Sequence, residues 1–479
     1  MKALYRVFLM RRLLLTLAFG VLAISAHAAS FPSPNDWRDE NIYQIITDRF
    51  FDGDPSNNTN NPDATYAPAT GNAIHGGDFK GLQQKLDYIK SLGATAIWIS
   101  PIVRNTSGQY HGYSGWDFTT VDPHWGTFTD LTNMIAAAHA RGIKVVLDVV
   151  VNHGGDLVYS TTRGYSTTFR APPSGYNLTF RNSSKQFKPP FNTNSVAPTI
   201  SSIVHTNGLI FNFSDNTQDE KGELSGLDDF RTETTHIRTN MANIYTNWIA
   251  RADFDGFRID TVKHVDHGTT GFWNYWCPQV HNAATALGKS NFFMFGEVYD
   301  GSDQKNGFYT GTMLSPNFAL DATLDYPLYF TINSVFATAT GNTKQIEDHY
   351  NAIPNYYDSA AWYRLVTFLD NHDQARFLSS ANANNNTNRL AVALAFLYTS
   401  RGIPCLYYGT EQAFNGSTDP NDREDMFAGH FEQTASLSDN FNETHPLFQF
   451  VARLNNYRRL YTSLRRGAHN NLWNSPNGP

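Results

Sequence analysis

Residues 131–153 read LTNMIAAAHARGIKVVLDVVVNH. Apolar positions recur at helical spacing from Leu131 to Ala140, Gly142 stops the helix, and Val145 to Val151 is apolar except for Asp148. A short run apolar on both faces fits a strand covered on both sides, as in a parallel sheet flanked by helices. The unit is thus a helix, a Gly turn, a buried strand and a polar Asn152-His153 pair where the strand runs out.

Outward from this stretch the unit repeats. Further strands are predicted at Ile42–Ile46, Ala94–Ser100, Phe257–Val262, Phe292–Val298, Leu324–Leu328, Leu365–Leu369 and Pro404–Tyr408. Helices are predicted at Leu82–Ser91, Ile237–Ala250, Phe272–Leu287, around Gln345, at Leu390–Tyr398 and at Phe448–Leu460. Strands alternating with helices signal βαβ units. Eight strands in such a chain predict an α/β fold, a (β/α)8 barrel, rather than an open doubly wound sheet. No Gly-rich phosphate loop follows the first strand, which weighs against the open sheet. The alternation breaks from about Gly154 to Asp229, where Ser, Thr, Asn, Phe and Pro dominate without a period. Excursions of that length are functional or form a small unit of their own.

The expected organisation is a signal peptide over 1–28, the first part of a catalytic barrel over 29–153, an insertion domain over 154–229, the second part of the barrel over 230–461, and a tail over 462–479. Lys2, Arg6, Arg11 and Arg12 precede an apolar run from Leu13 to Ile24, and Ala26-His27-Ala28 fits a small-x-small cleavage site. The run is too short to span a bilayer, so export is expected, to the extracellular space or a periplasm. A net charge of -7 argues against nucleic acid and anionic membrane as partners. Charged residues make up only 16% and aromatics 14%; polarity carried by Asn, Ser, Thr and Tyr suits an uncharged polyol such as a sugar. Cys277 and Cys405 are expected to be buried free thiols rather than a bridge.

Active sites of such barrels are built at the C-terminal strand ends. Four segments place ionisable residues there: DVVVNH (Asp148 to His153), GFRIDTVKH (Gly256 to His264), GEV (Gly296 to Val298) and FLDNHD (Phe368 to Asp373). One Asp at a strand end is an ordinary cap, whereas four such clusters at one end of one barrel point to chemistry. A retaining glycosidase needs a nucleophilic carboxylate and a carboxylic acid about 5–5.5 Å apart. Asp260 and Glu297 fall on adjacent strands, which run about 4.8 Å apart. Glu297 follows Gly296 in an apolar strand, a setting that favours the protonated acid. Arg258 projects to the same face as Asp260 and would hold it ionised, with a purely structural ion pair as the alternative.

These four segments, in this order, resemble the conserved regions of the α-amylase family, glycoside hydrolase family 13. The resemblance covers roughly residues 36–461. It implies Asp260 as nucleophile, Glu297 as general acid/base and Asp373 as a third carboxylate on the sugar hydroxyls. It further implies that His153 and His372 bind the reacting sugar and that Lys263 and His264 face the leaving group. YHGYSGWDF (Tyr110 to Phe118) is similar to a family segment whose match would stack Tyr113 on the sugar, with His111 beside it. In GTEQAFNGSTDPNDRE, Asp419 and Arg423 match residues that clasp a more distant glucose. The implied function is a secreted, monomeric α-amylase acting on internal α-1,4 bonds of starch and related α-glucans. The alternatives are a transglycosylase like the cyclodextrin glycosyltransferases and a non-catalytic glucan binder.

The implied cofactor is calcium, at two places. Asn152 and the His264 carbonyl match ligands of one site, where the family's usual Asp is replaced by Gly226 in LSGLDD, leaving Asp228 or Asp229 to substitute. TDRFFDGDPSNN with HGGD resembles a calcium loop of cyclodextrin glycosyltransferases, matched by Asp52, Asp54, Asn57, Asn58, Gly76 and Asp78. Family members continue into a C-terminal β-sandwich. Only about 18 residues follow Tyr461, so that domain is expected to be truncated or absent here.

Overall fold

The computed structural model describes residues 30–106, 109–182, 185–192, 199–268, 271–313, 319–427 and 439–478. The expected signal peptide lies outside them. Eight parallel strands form one sheet: β1 (Ile42–Ile45), β2 (Ala96–Ile99), β3 (Lys144–Val149), β4 (Gly256–Ile259), β5 (Phe293–Gly296), β6 (Ala322–Thr323), β7 (Val366–Thr367) and β8 (Ile403–Tyr407). Their order, β6-β5-β4-β3-β2-β1-β8-β7, follows the chain around a ring. A parallel bridge between Leu324, just past β6, and Val366 of β7 closes it. This is the (β/α)8 barrel expected from the alternation.

The strand period of two sorts side chains into two apolar layers. Ile42, Ala96, Trp98, Val146, Phe293, Phe295, Ile403 and Cys405 fill the interior. Tyr43, Ile97, Val145, Leu147, Phe257, Met294 and Leu406 face outward into the layer shared with the helices. Cys277 belongs to that outer layer and Cys405 to the inner one, so the sheet separates them and both are free and buried.

Three details depart from the sequence reading. The sixth strand is Ala322–Thr323, not Leu324–Leu328, and a helix runs Tyr326–Ile332. Asp325 caps that helix by accepting from Leu328 N, and Pro327 sits in its first turn; this start signal outweighs the apolar run. The predicted helix Leu82–Ser91 is two pieces, Phe79–Gln84 and Leu86–Leu92, parted at Lys85. The helix before β3 starts earlier than expected, at Phe128, because Thr127 and Asp130 form a reciprocal capping box. Between β3 and the helix Thr235–Ala252 that precedes β4, the described residues make a two-residue ladder, Val158–Tyr159 with Thr179–Phe180, a few isolated bridges, and two short helices, Ile200–Ile203 and Asn216–Lys221.

Candidate active site

Parallel register carries the chemistry to one rim. Ile259 of β4 pairs with Gly296 of β5, and each strand stops one residue before a carboxylate. The ladder runs on through those carboxylate residues: Asp260 N donates to Val149 O and Glu297 N donates to Ile259 O. Thr261 then takes a left-handed backbone conformation (φ 48°) and turns the chain away. Asp260 and Glu297 are thereby fixed by sheet backbone rather than by a mobile loop.

Beneath them lies Arg258, fully buried. Its Nη1 donates to Asp148 Oδ1 at 2.8 Å and to Asp260 Oδ1 at 2.9 Å. Its Nη2 sits 2.8 Å from Glu297 Oε2, an ion-pair contact off the N–H direction. One guanidinium therefore gathers three carboxylates from three adjacent strands. Burial pushes Asp260 well above the usual carboxylate range, with Arg258 opposing and the charges of Glu297, Asp148 and Asp373 adding to the rise. Burial likewise brings Asp148 up to about 6 against the pull of Arg258.

A cleft of about 760 Å³ opens over this floor. It is lined by His111, Tyr113, His153, Asp260, Lys263, His264, Glu297, His372, Asp373, Asp419 and Arg423, which brings together every sugar-contact and catalytic residue expected from sequence apart from the buried Arg258. Burial holds His111 and His372 well below the ordinary histidine range and His153 at about 4, so these imidazoles are neutral donors and acceptors at neutral pH. Arg423 donates to His372 O, Tyr110 Oη and Asp373 Oδ1 and pairs with Asp419, so it braces the rim as well as facing the cleft.

Other participants were not singled out from sequence. Asp148 accepts from Arg258, from Trp98 Nε1 (2.9 Å) and from Tyr113 Oη (2.8 Å), and so ties three strands. Gln44 Nε2 reaches His372 Nδ1 at 2.7 Å. Period two places Asp148 on the face of Val146, and that inward face was the available signal. Phe213, Leu224 and Leu227 from the segment between β3 and β4 form one wall, opposite Tyr299. No periodicity marked them.

The two expected calcium places differ. In the β1 loop, Asp52 Oδ1, Asn57 Oδ1 and Asn58 Oδ1 are buried with no hydrogen-bond partner among the described residues. Asp78 organises the loop by accepting from Gly53 N, Asp54 N, Gly81 N and Asn57 Nδ2. The backbone at Gly76 (φ 113°) comes so close that a Cβ there would lie 2.8 Å from Asp52 Oδ2. Three orphaned oxygens beside a close-approaching backbone fit a hard cation. The Asp54 carboxylate does not join them; it turns outward and accepts from Ser56 Oγ and from the surface ammonium of Lys80.

At the other place Asn152 turns its side-chain oxygen toward His264 O (2.8 Å) and Asp229 Oδ1 (3.2 Å), so three oxygens face one another with no hydrogen between them. Asp229, not Asp228, is the carboxylate beside it, and its second oxygen is held by His205 Nδ1 at 2.6 Å. Asp228 Oδ2 instead accepts from Leu157 N and Val158 N. Gly226 faces open space. Calcium takes six to eight oxygens. Asn152 Oδ1, His264 O and Asp229 Oδ1 fit part of such a set, and Asp228 Oδ1 is a further buried oxygen with no hydrogen-bond partner among the described residues.

Comparison with known proteins agrees with the geometry. Residues 44–446 match the family model described as alpha amylase, catalytic domain. The chain is 36% identical to a beta/alpha-amylase of Paenibacillus polymyxa over 91% of its own length, and spans 32% of that protein. It is 29% identical to a cyclomaltodextrin glucanotransferase of Klebsiella oxytoca, covering 91% of this chain and 67% of the relative. The crystal structure of an Anoxybacillus alpha-amylase superimposes with a TM-score of 0.73 at 32% identity, over 92% of this chain and 83% of that one. With its barrel, its strand-end carboxylates and this match, the chain belongs to the α-amylase family.

Proposed function

We propose that this chain hydrolyses internal α-1,4-glucosidic bonds of starch-like glucans with retention of anomeric configuration. The observation that carries the reading is the single buried guanidinium of Arg258 shared by Asp260 and Glu297 at the floor of the cleft. Asp260 attacks the anomeric carbon and Glu297, acting as the general acid, gives a proton to the leaving glycosidic oxygen. The bond to the leaving sugar breaks as that to Asp260 forms. Glu297 then takes a proton from water, which attacks the same carbon and releases Asp260. Asp373 and His372 face the sugar hydroxyls, while Tyr113 and His111 line the same end of the cleft. A wall of neutral imidazoles and aromatic rings suits an uncharged polyol.

The β1 loop would hold calcium through Asp52, Asn57 and Asn58 side-chain oxygens and the Gly76 carbonyl. The ion would brace the loop and take no part in bond breaking. Export of the chain rests on the leader-like N-terminus. No described helix is long and apolar enough to cross a membrane.

A second reading is glucan transfer to a sugar acceptor. Phe213, half exposed, stands on the wall beside Lys263 and His264, an apolar face that an acceptor sugar can use in place of water. One experiment separates the readings: digestion of maltoheptaose by wild type and Glu297→Gln, with product lengths and initial anomer resolved. Hydrolysis yields shorter α-anomers from wild type alone. Longer or cyclic products favour transfer, and equal cleavage by both proteins removes Glu297 from its role.

A further inference from the structure

We infer that Gln44 is a positioning residue that fixes the tautomer of His372, so that the imidazole presents Nε2–H to the sugar-binding end of the cleft. This rests on the glucan-cleaving reading above for its purpose, though not for its geometry. Gln44 sits on the inward face of β1, two residues beyond Ile42, and is buried; His372 lies beyond β7. The amide nitrogen of Gln44 is 2.7 Å from His372 Nδ1, while His372 Nε2 is 2.8 Å from Tyr113 Oη and 3.1 Å from Asp373 Oδ2.

Proton counting selects one arrangement. A carboxamide nitrogen only donates, so Nδ1 is the acceptor and Nε2 carries the hydrogen. Nε2–H then points to Tyr113 Oη, whose single proton remains for Asp148 Oδ2 at 2.8 Å. Asp148 Oδ2 also accepts from Trp98 Nε1. The donors between Gln44 and Asp148 thus each meet an acceptor, from Gln44 Nε2 to His372 Nδ1, from His372 Nε2–H to Tyr113 Oη and from Tyr113 Oη to Asp148 Oδ2. Rotating the Gln44 amide breaks the relay. Nδ1 would then need the proton, bare Nε2 would claim the hydrogen of Tyr113 Oη, and Asp148 would lose a donor. Nε2 would also turn a lone pair toward the Asp373 carboxylate. Burial first, then the charges of Arg258 and Arg423, hold the ring neutral against the opposing pull of Glu297, with the Asp373 carboxylate also at hand.

The test uses full-length protein labelled with ¹⁵N-histidine, with His372 identified by its absence from the His372→Asn spectrum. Wild type is expected to show His372 protonated at Nε2 alone from pH 5 to 9. Gln44→Glu, nearly isosteric but accepting when ionised, should protonate both nitrogens and add an ionisation to the kcat/KM–pH profile. Gln44→Met should lower kcat by about tenfold to a hundredfold, as loss of an orienting partner does, with a smaller change in KM and an unshifted melting temperature. A wild-type ring protonated at Nδ1, or a Gln44→Glu protein with unchanged spectrum and pH profile, overturns the inference. A wild type that shows the Nε2–H ring and cleaves no glucan upholds the tautomer and refutes the proposed function instead.

Discussion

The strand ends of the barrel and the segment between β3 and β4 meet across one cleft, yet they are built differently. At the strand ends Asp260 and Glu297 each lie one residue past a parallel ladder, and their positions follow from register. The intervening segment has a ladder of only two residue pairs and contributes Phe213, Leu224 and Leu227, with no acid or base among them. The two reacting carboxylates are held by sheet backbone, and the apolar wall comes from irregular chain. The barrel rim should therefore govern turnover, and the segment affinity and acceptor choice.

That division can be broken by mutation. Glu297→Gln should lower kcat by about 10³-fold or more, at the upper end of general acid catalysis, without loss of thermal stability; reducing-sugar release beside a melting curve measures both. Arg258→Met should strand three buried carboxylates and destabilise the fold by about 3–5 kcal/mol, read by chemical denaturation. A stable Arg258→Met protein would show that the guanidinium serves chemistry alone.

A third prediction concerns pH. Buried His349 lies between Asp325 and Asp303, whose charges raise it to about 9 despite burial. A histidine raised on folding stabilises fully below about pH 6.5, and that stabilisation is lost as pH rises through about 9. The barrel should lose up to about 3 kcal/mol over that window, and His349→Gln should flatten the dependence in denaturation measured across pH. Calcium offers a smaller test. Titration calorimetry should count two calcium ions per chain, one lost in Asn57→Ala and the other in Asn152→Ala; a count left unchanged by either variant would remove that place from the metal sites. The smallest expected effect is Phe213→Ala, which should raise KM for long glucans several-fold, about 1 kcal/mol, at unchanged kcat.

What was readable in the sequence follows the same division. Periodicity located the strands and hence Asp260 and Glu297 one residue past them, while Asp373, in the loop beyond β7, was legible only from the resemblance of FLDNHD to its family segment. Periodicity overlooked Gln44, which looks like one polar residue in an apolar strand until the ring closes and sets it against His372, 328 positions away. The sixth strand was misplaced because an apolar run does not reveal which of strand and capped helix prevails; Asp325 and Pro327 carried that signal. Between Asp228 and Asp229, neighbours in aperiodic chain, nothing in the sequence tells which faces Asn152. Likewise the outward turn of Asp54 depends on Lys80, brought near only by folding.

The most direct test of the central claim is covalent. Glu297→Gln incubated with a 5-fluoroglycosyl fluoride, a donor with a leaving group that needs no acid, should accumulate a glycosyl-enzyme. Digestion and mass spectrometry should find the sugar on the peptide carrying Asp260. An adduct on any other residue, or none while the donor is turned over, would contradict the assignment of Asp260 as the attacking carboxylate.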